Sequence, residues 1–377
     1  MLKLFLTGDN HIGLKYAGHE QSAVLAAKRI SAFENMVYAA NEEECDLFVI
    51  AGDLFENTYS VAKRDIQLVL KHLSAFRGTV VVLPGNHDYY DKDSKLWQTF
   101  ETIVKEYDNI LLLSQYRPYE LYLEEERVVL YPAPCTSVHS APGENNLGWI
   151  KQLMIADGSA YLVGIAHGAV EGETIDNEGQ YFLMKRSELE SIPVDVWLLG
   201  HTHVPFPRGL KQDEFTACEP IFNAGTHVQT DVSCNTEGKC FVIEIDENKK
   251  VRAKEYASGN LWFYRKHISV SAGMLQSKIS EALAHISPSS VVELIISGAV
   301  SEEEYEDRAE ILENALTGYL EVSYYDGGLS KLITKELIEA EFSEMSFAAS
   351  LLKALLDEPK EAQLLYEVLR ELKEGKQ

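Results

Sequence analysis

The sequence TVVVLPGNHD, residues 79–88, carries the strongest fold signal in the chain. Its first half is a continuous run of branched apolar residues, which is typical of a strand that is buried on both faces. Its second half leads directly into Asn86, His87 and Asp88, which are residue types that bind metals or move protons. In open α/β sheets, ligands bind beyond the carboxyl ends of the strands, so this stretch predicts a functional site on an α/β fold.

The same arrangement of an apolar run and a polar cluster occurs four more times along the chain. The runs and the clusters that follow them are LKLFLTG (2–8) with Asp9-Asn10-His11, DLFVIAG (46–52) with Asp53, AYLVGIA (160–166) with His167, and VDVWLLG (194–200) with His201-Thr202-His203. If the five strands end at one edge of the fold, their clusters converge. Glycine precedes most of the clusters, which suits tight turns and close backbone approach.

Strand-like runs alternate with helical patterns from residue 1 to about residue 260. This alternation predicts a layered α/β core, built as a mixed sheet or as a two-sheet sandwich. Residues 261–329 have the pattern of a small β-α-β-α-β module. Residues 330–377 are predicted to be helical, with apolar stripes within 347–356 and 364–372. We therefore expect three segments along the chain.

The composition restricts the classes of function. The formal net charge of −25 argues against nonspecific binding of nucleic acid over a large surface, because phosphate contacts need lysine and arginine. We expect no membrane span, since no apolar run reaches the required length, and no signal peptide, since the first residues turn acidic too early. The five cysteines lack CxxC spacing, which favours free thiols in a reducing cytoplasm.

The polar clusters offer a set of metal ligands made of oxygen and imidazole nitrogen. The predicted ligands are Asp9, His11, Asp53, Asn86, His167, His201 and His203. Such donors suit Mn²⁺, Fe or Zn²⁺. Seven ligands are too many for one ion but fit two ions about 3.5–4 Å apart that share a bridge. A carboxylate is the natural bridge, and Asp53 is our candidate.

A two-metal site of this kind predicts phosphoester hydrolysis. The ions would lower the pKa of a shared water and neutralise charge on the phosphoryl oxygens. His87 neighbours Asn86, so we expect it to protonate the leaving oxygen as general acid. Asp88 is expected to orient His87 and raise its pKa.

Each cluster taken alone has a structural explanation. A single Asp-x-His after a strand is usually a capped turn, and Gly-Asp is commonly a simple turn. The specificity of the interpretation comes from the ordered set. His227 lies in a similar position after an apolar run, but we expect it to belong to a structural turn.

The order and spacing of these motifs resemble the calcineurin-like metallophosphoesterases. Within them, the sequences AGDLF (51–55) and VVVLPGNHD (80–88), followed by an α/β cap and a helical tail, resemble the SbcD-type DNA repair nucleases. The resemblance implies a four-layer α/β/β/α sandwich. It implies that one metal takes Asp9, His11 and His203, that the other takes Asn86, His167 and His201, and that Asp53 bridges them.

The resemblance also implies Mn²⁺ as the activating metal and exonuclease and endonuclease action on DNA ends. It implies a homodimer and an SbcC-like coiled-coil ATPase bound through the C-terminal helices. The chain departs from the nuclease pattern at Glu56, where the family usually carries histidine.

Three functions remain open on the sequence. The first is a DNA nuclease subunit, which the length, cap and tail favour. The second is a phosphodiesterase or phosphatase for a small nucleotide or other phosphoester, which Glu56 and the acidic charge favour. The third is an assembly platform without activity, which the intact ligand set argues against, because unused clustered charges are unfavourable.

Overall fold

The computed structural model describes residues 1–123, 126–153, 158–172, 179–373 and 375. The chain divides into two compact units, Met1–Trp262 and Phe263–Gln377. The predicted boundary near residue 260 lies beside this division. A further boundary between a cap and a separate C-terminal segment at residue 330 stays a prediction.

Twelve strands lie in the part of the first unit that the structure describes. They are β1 (Leu2–Thr7), β2 (Leu47–Ala51), β3 (Thr79–Leu83), β4 (Ile110–Leu112), β5 (Tyr119–Leu123), β6 (Glu126–Ala133), β7 (Tyr161–His167), β8 (Val196–Gly200), β9 (Thr216–Ala217), β10 (Ile221–Asn223), β11 (Lys239–Ile245) and β12 (Val251–Ala257). The helices are α1 (Ser22–Glu42), α2 (Lys63–Ser74), α3 (Lys95–Ile103), which a short 3₁₀ turn extends, α4 (Gly148–Lys151) and α5 (Arg186–Ser191).

These strands form two mixed sheets. The seven-stranded sheet has the order β4-β3-β2-β1-β11-β12-β9, in which β1 to β4 run parallel and β11, β12 and β9 join by antiparallel pairing. The five-stranded sheet has the order β10-β8-β7-β6-β5, and only its edge strand β5 is antiparallel. The parallel strands of each sheet therefore present their carboxyl ends at one edge, where the predicted site residues follow.

The two sheets pack face to face with helices on both outer sides. Leu4 and Val49 of the larger sheet share a core with Val163 of the smaller one. Phe5, the neighbour of Leu4, points the other way and stacks on Phe48 beneath the helices, with 5.2 Å between the ring centroids. Because successive strand residues alternate in direction, both faces of β1 are buried and the strand reads as a continuous apolar run. The predicted four-layer α/β/β/α sandwich is confirmed.

The second unit contains a three-stranded sheet and six helices among its described residues. They are β13 (Trp262–Ser271), α6 (Leu275–Leu283), β14 (Ser290–Val300), α7 (Glu302–Glu306), α8 (Arg308–Leu316), β15 (Glu321–Lys331), α9 (Lys335–Glu341), α10 (Phe347–Ala354) and α11 (Pro359–Lys373). The sheet order is β13-β14-β15, with β14 and β15 parallel. The order of elements through β15 is the predicted β-α-β-α-β order, with the second helix split in two.

The last three helices build a small core of their own from residues such as Ile338, Leu352 and Tyr366. All five cysteines are free thiols. Among the residues that the structure describes, no helix combines the length and the apolar character needed to cross a lipid bilayer.

Candidate metal centre

The structure brings the seven predicted ligands together at the carboxyl ends of five parallel strands. Asp9 and His11 follow β1, Asp53 follows β2 and Asn86 follows β3, while His167 ends β7 and His201 and His203 follow β8. The first three strands belong to one sheet and the last two to the other. The site therefore spans the edge of the sandwich, and neither sheet alone carries the full set.

Three of the side chains form what we call the first ligand group: Asp9, His11 and His203. The Nε2 atoms of His11 and His203 lie 3.0 Å apart. Asp9 Oδ1 lies 3.9 Å from His203 Nε2. The ligand atoms of the three residues lie within 4.8 Å of one another, which is the arrangement expected of side chains that could share one ion.

The second ligand group is Asn86, His167 and His201. Asn86 Oδ1 lies 3.0 Å from both His167 Nε2 and His201 Nδ1. Asp53 lies between the groups, because its Oδ2 is 3.8 Å from His11 Nε2 and 3.2 Å from His167 Nε2. One carboxylate oxygen thus faces both groups, as a bridging ligand would.

The protonation of the histidines tests whether the donors fit divalent ions. His167 Nδ1 lies 2.8 Å from the carbonyl oxygen of Ala51, so Nδ1 carries the proton and donates. Its Nε2 faces the oxygens of Asn86 and Asp53, and it can bind a cation once it gives up its own proton. A buried group of unprotonated nitrogen and oxygen atoms repels itself unless a cation lies among them. The donor set therefore fits two divalent ions with oxygen and nitrogen ligands.

The pKa directions in the metal-free chain agree with this conclusion. Burial disfavours the charged form of His167, but the Asp53 carboxylate overcomes it and raises the pKa of His167 to about 9. Burial raises the pKa of Asp9 to about 6, and a second carboxylate at Asp53 adds to the shift. Burial and the neighbouring His11 lower the pKa of His203 to about 3. Without a metal, the pKa shifts favour a proton on His167 and Asp9 and leave His203 neutral.

The backbone at the ligands is strained. Asp9, His11, Asp53, His201 and His203 all have positive φ, between 45° and 112°. Residues other than glycine rarely adopt this region, and each instance costs about 1–3 kcal/mol. Five such residues in one site indicate that the loops are held in place to aim side chains at a common centre.

Two glycines allow the loops to approach as closely as they do. A Cβ atom on Gly85 would lie 2.2 Å from Asp53 Oδ1, and one on Gly52 would lie 2.1 Å from His167 Nδ1. Neither position tolerates a larger residue without moving a predicted ligand. The close approach expected of these glycines is therefore present.

His87 lies at the exposed side of the centre, as a proton donor to a leaving group requires. Its backbone N–H donates to Asp53 Oδ1 at 2.8 Å, and its ring packs edge-on against His11 with 4.7 Å between centroids. Its Nδ1 lies 3.1 Å from the carbonyl oxygen of Glu56 and donates to it, which leaves Nε2 for a substrate.

The expected contact between Asp88 and His87 is wrong. Asp88 is fully buried and accepts hydrogen bonds from the backbone N–H groups of Gly85 at 2.7 Å and Phe55 at 3.0 Å. Its two oxygens are thus used to tie the loop after β3 to the loop after β2. The carbonyl oxygen of Glu56, rather than Asp88, orients His87. Burial raises the pKa of Asp88 to about 7, with a contribution from Asp53.

Arg29 on α1 is a supporting residue that sequence reasoning missed. It is 1% exposed, and its guanidinium donates to the carbonyl oxygen of Asn10 at 2.6 Å and to Tyr16 Oη at 3.1 Å. Its positive charge lies directly behind the loop that carries Asp9. His227 is also buried there, with Nε2 3.0 Å from the carbonyl oxygen of Arg29. The structural role expected of His227 agrees with this position.

A cavity of about 830 Å³ opens over the ligands. Tyr181, the loop around Tyr16 to His19 and the loop from Thr230 to Thr236 form its walls. Among its described lining residues, none is a lysine or an arginine, and Glu56 and Asp231 add negative charge. The cavity leaves the neutralisation of a bound phosphoryl group to the metal centre.

Comparison with known proteins places the chain in a family. A family model described as calcineurin-like phosphoesterase matches residues 2–205. Among solved structures, TT1561 of Thermus thermophilus is similar over 67% of this chain and 97% of its own length, with 10% identity and a TM-score of 0.41.

Two further similar structures come from animals and plants. A dimetal phosphatase from Danio rerio is 12% identical over 68% of this chain and 98% of its own, with a TM-score of 0.36. The purple acid phosphatase PPD1 from yellow lupin, Lupinus luteus, is 12% identical over 67% of this chain and 53% of its own, with a TM-score of 0.34. The family match covers more than half of the chain and contains all of the predicted ligands, and on that match the chain belongs to the calcineurin-like phosphoesterase family.

Proposed function

We propose that this chain is a two-metal phosphodiester hydrolase that acts on DNA ends as the nuclease subunit of an SbcC–SbcD-like complex. Its family makes it a metal-dependent phosphoester hydrolase. The observation that carries the proposal is the convergence of two ligand groups on Asp53 below an open cavity. The SbcD-like motifs and the second unit after the phosphoesterase unit support DNA as the substrate.

The residues divide the work as follows. The first and second ligand groups would each hold one divalent ion, with Mn²⁺ our choice of metal and Asp53 shared between them. Such a pair supplies activation of water and neutralisation of phosphoryl charge. His87, held through Nδ1 by the carbonyl oxygen of Glu56, would give a proton from Nε2 to the departing oxygen.

A second candidate is hydrolysis of a small nucleotide or another small phosphoester. The specific observation in its favour is the absence of lysine and arginine from the described lining of the cavity, together with the carboxylates of Glu56 and Asp231. A DNA strand carries several phosphates, and a lysine or arginine beside each phosphate strengthens binding. A substrate with a single phosphoryl group needs only the metals.

One experiment separates the two candidates. The full chain, freed of metal with EDTA and reloaded with Mn²⁺, is given linear duplex DNA or bis(p-nitrophenyl) phosphate. Release of nucleotides from DNA only after Mn²⁺ is added is the expected result. Hydrolysis of the small diester with DNA left intact would replace the nuclease proposal with the second candidate. Inactivity on both would overturn phosphodiester hydrolysis itself.

The proposed ATPase partner has a matching surface on α11. Leu364, Val368 and Leu372 recur every four residues on one face of this helix and are 66%, 45% and 68% exposed. An apolar stripe of this kind fits the groove of a coiled coil or helical hairpin. We propose that it binds an SbcC-like ATPase, and that two copies of this chain assemble in that complex in the cytoplasm.

The partner proposal is tested by mixing the chain with a coiled-coil ATPase of the SbcC type. Replacing Leu364, Val368 and Leu372 with serine should abolish co-elution on a sizing column. The matched control changes Glu371 to serine on the same helix and should keep the complex. Equal binding by both variants would remove α11 from the proposal.

A further inference from the structure

We propose that Glu56 is a positioning residue that presents His11 to its metal ion and sets the affinity of the first ligand group. The inference rests on the proposed two-metal site. Glu56 lies three positions after Asp53 and belongs to neither ligand group.

The contact between Glu56 and His11 fixes which nitrogen of His11 carries the proton. Glu56 Oε2 lies 3.0 Å from His11 Nδ1. His11 Nδ1 makes no regular hydrogen bond, so its contact with the Glu56 carboxylate is chiefly electrostatic. A carboxylate at this distance repels a bare nitrogen and attracts an N–H. His11 therefore keeps its proton on Nδ1 and turns the lone pair of Nε2 toward His203 and Asp53.

Glu56 is itself held firmly in place. Its backbone N–H donates to the carbonyl oxygen of Ile12 at 3.0 Å, and its carbonyl oxygen accepts from His87 Nδ1 at 3.1 Å. A bridge between Ile12 and Phe55 ties the same two loops one residue earlier. The carboxylate therefore approaches His11 from a fixed backbone, and its side chain is only 27% exposed.

In the second ligand group, an oxygen atom also orients a histidine through Nδ1, but this oxygen belongs to the backbone. There, the carbonyl oxygen of Ala51 orients His167 through Nδ1 at 2.8 Å. Histidine ligands generally donate their other N–H to an oxygen, and a carboxylate makes the imidazole a stronger donor to the metal. Loss of such a partner typically weakens metal affinity by about 10–100-fold. We expect a loss of this size on one ion only.

The test is a calorimetric titration of Mn²⁺ into the metal-stripped full chain. Glu56→Gln removes the charge with little change of shape, and Glu56→Ala removes the contact. We expect one of the two binding steps to weaken by about 10-fold in the first variant and by more in the second, with the other step unchanged. Electron paramagnetic resonance should show the paired-manganese signal appearing at higher Mn²⁺ in both variants.

Asp231→Asn is the matched control. Asp231 lines the same cavity and carries the same charge, but its carboxylate accepts hydrogen bonds from Thr230 and Ser233 and contacts no predicted ligand. This variant should bind both ions as the wild type does. Wild-type titration curves for both Glu56 variants would overturn the positioning role, and so would equal weakening by Asp231→Asn. A wild-type chain that binds no Mn²⁺ would overturn the two-metal site as well, which separates the two failures.

Discussion

The two ligand groups are built from similar side chains but are supported differently. In the second group, His167 has a fully buried side chain and is oriented by a carbonyl oxygen of β2, a strand of the facing sheet. In the first group, His203 is 35% exposed, and His11 depends on the side chain of Glu56. Arg29 on α1 holds the loop behind them. A backbone carbonyl that orients a histidine is present whatever the side chain is, whereas a side-chain carboxylate is lost by a single substitution. We therefore expect the first group to bind its metal more weakly and to change affinity more readily.

The largest effect should come from changing Asp53, whose carboxylate faces both groups. Asp53→Asn should release both ions and reduce turnover to background, because each group then loses a carboxylate that balances its charge. The loss of metal affinity should exceed about 100-fold, which is the upper end of the loss seen when a residue that orients a ligand is removed. Metal content after dialysis, measured by mass spectrometry, checks this. Retention of two tightly bound ions would disprove the bridging role.

His87→Ala should spare both groups while stopping the reaction. The side chain binds no metal in our proposal, so two ions should remain. Loss of general acid catalysis should lower turnover by about 10²–10⁴-fold. Steady-state release of nucleotides from linear duplex DNA, whose departing deoxyribose oxygen is strongly basic and needs a proton, tests the loss of turnover. Metal content measured in parallel tests the retention of both ions. Full turnover would show that another group supplies the proton.

Arg29→Met should distinguish the groups. It leaves the carbonyl oxygen of Asn10 and the hydroxyl of Tyr16 without their buried donor, and each such loss costs about 1–3 kcal/mol. We expect the free energy of unfolding to fall by about 3 kcal/mol, measured with urea in EDTA. The first group should also lose Mn²⁺ affinity while the second keeps it. Lys28→Met, one residue earlier on the same helix, is the control, and equal effects of the two changes would count against our comparison.

Adding one carbon atom at Gly85 should weaken metal binding without removing a predicted ligand. Its Cβ would meet Asp53 Oδ1 at 2.2 Å and the backbone nitrogen of Asp53 at 2.3 Å, so the loop must shift and both groups should bind Mn²⁺ less tightly. Overpacking of this kind destabilises by about 1–3 kcal/mol. Gly164→Ala creates a similar clash with the ring of Trp197, at 2.4 Å, away from the ligands. The two variants should lose similar stability, but only Gly85→Ala should bind metal more weakly.

The sequence alone predicts those parts of the molecule in which the local residue pattern determines the position in the fold. A strand buried on both faces must be continuously apolar, so TVVVL could be recognised as β3 without any partner in view. The turn that follows β3 must then lie at the edge of the sheet where all the parallel strands end. This is why Asn86 and the other ligands could be grouped before their distances were known.

The supporting residues could not be found in this way, because their roles depend on contacts distant in sequence. Arg29 lies on α1, where an arginine is normally a solvated surface residue. Its burial follows only once the loops at Asn10 and Gln229 are placed around it. The predicted contact between Asp88 and His87 was wrong for the opposite reason, because it relied on proximity in sequence. Asp88 is adjacent to His87 in sequence, but the turn directs its carboxylate to Gly85 and Phe55 on the inner side.

The left-handed backbone at Asp9, His11 and Asp53 bears on how such a site would decay in evolution. While hydrolysis is under selection, the chain keeps residues that are less suited to that conformation than glycine. Once selection ends, replacement by glycine relieves the strain. Inactive descendants of this domain should therefore acquire glycine at these positions early, while the buried strands behind them remain unchanged.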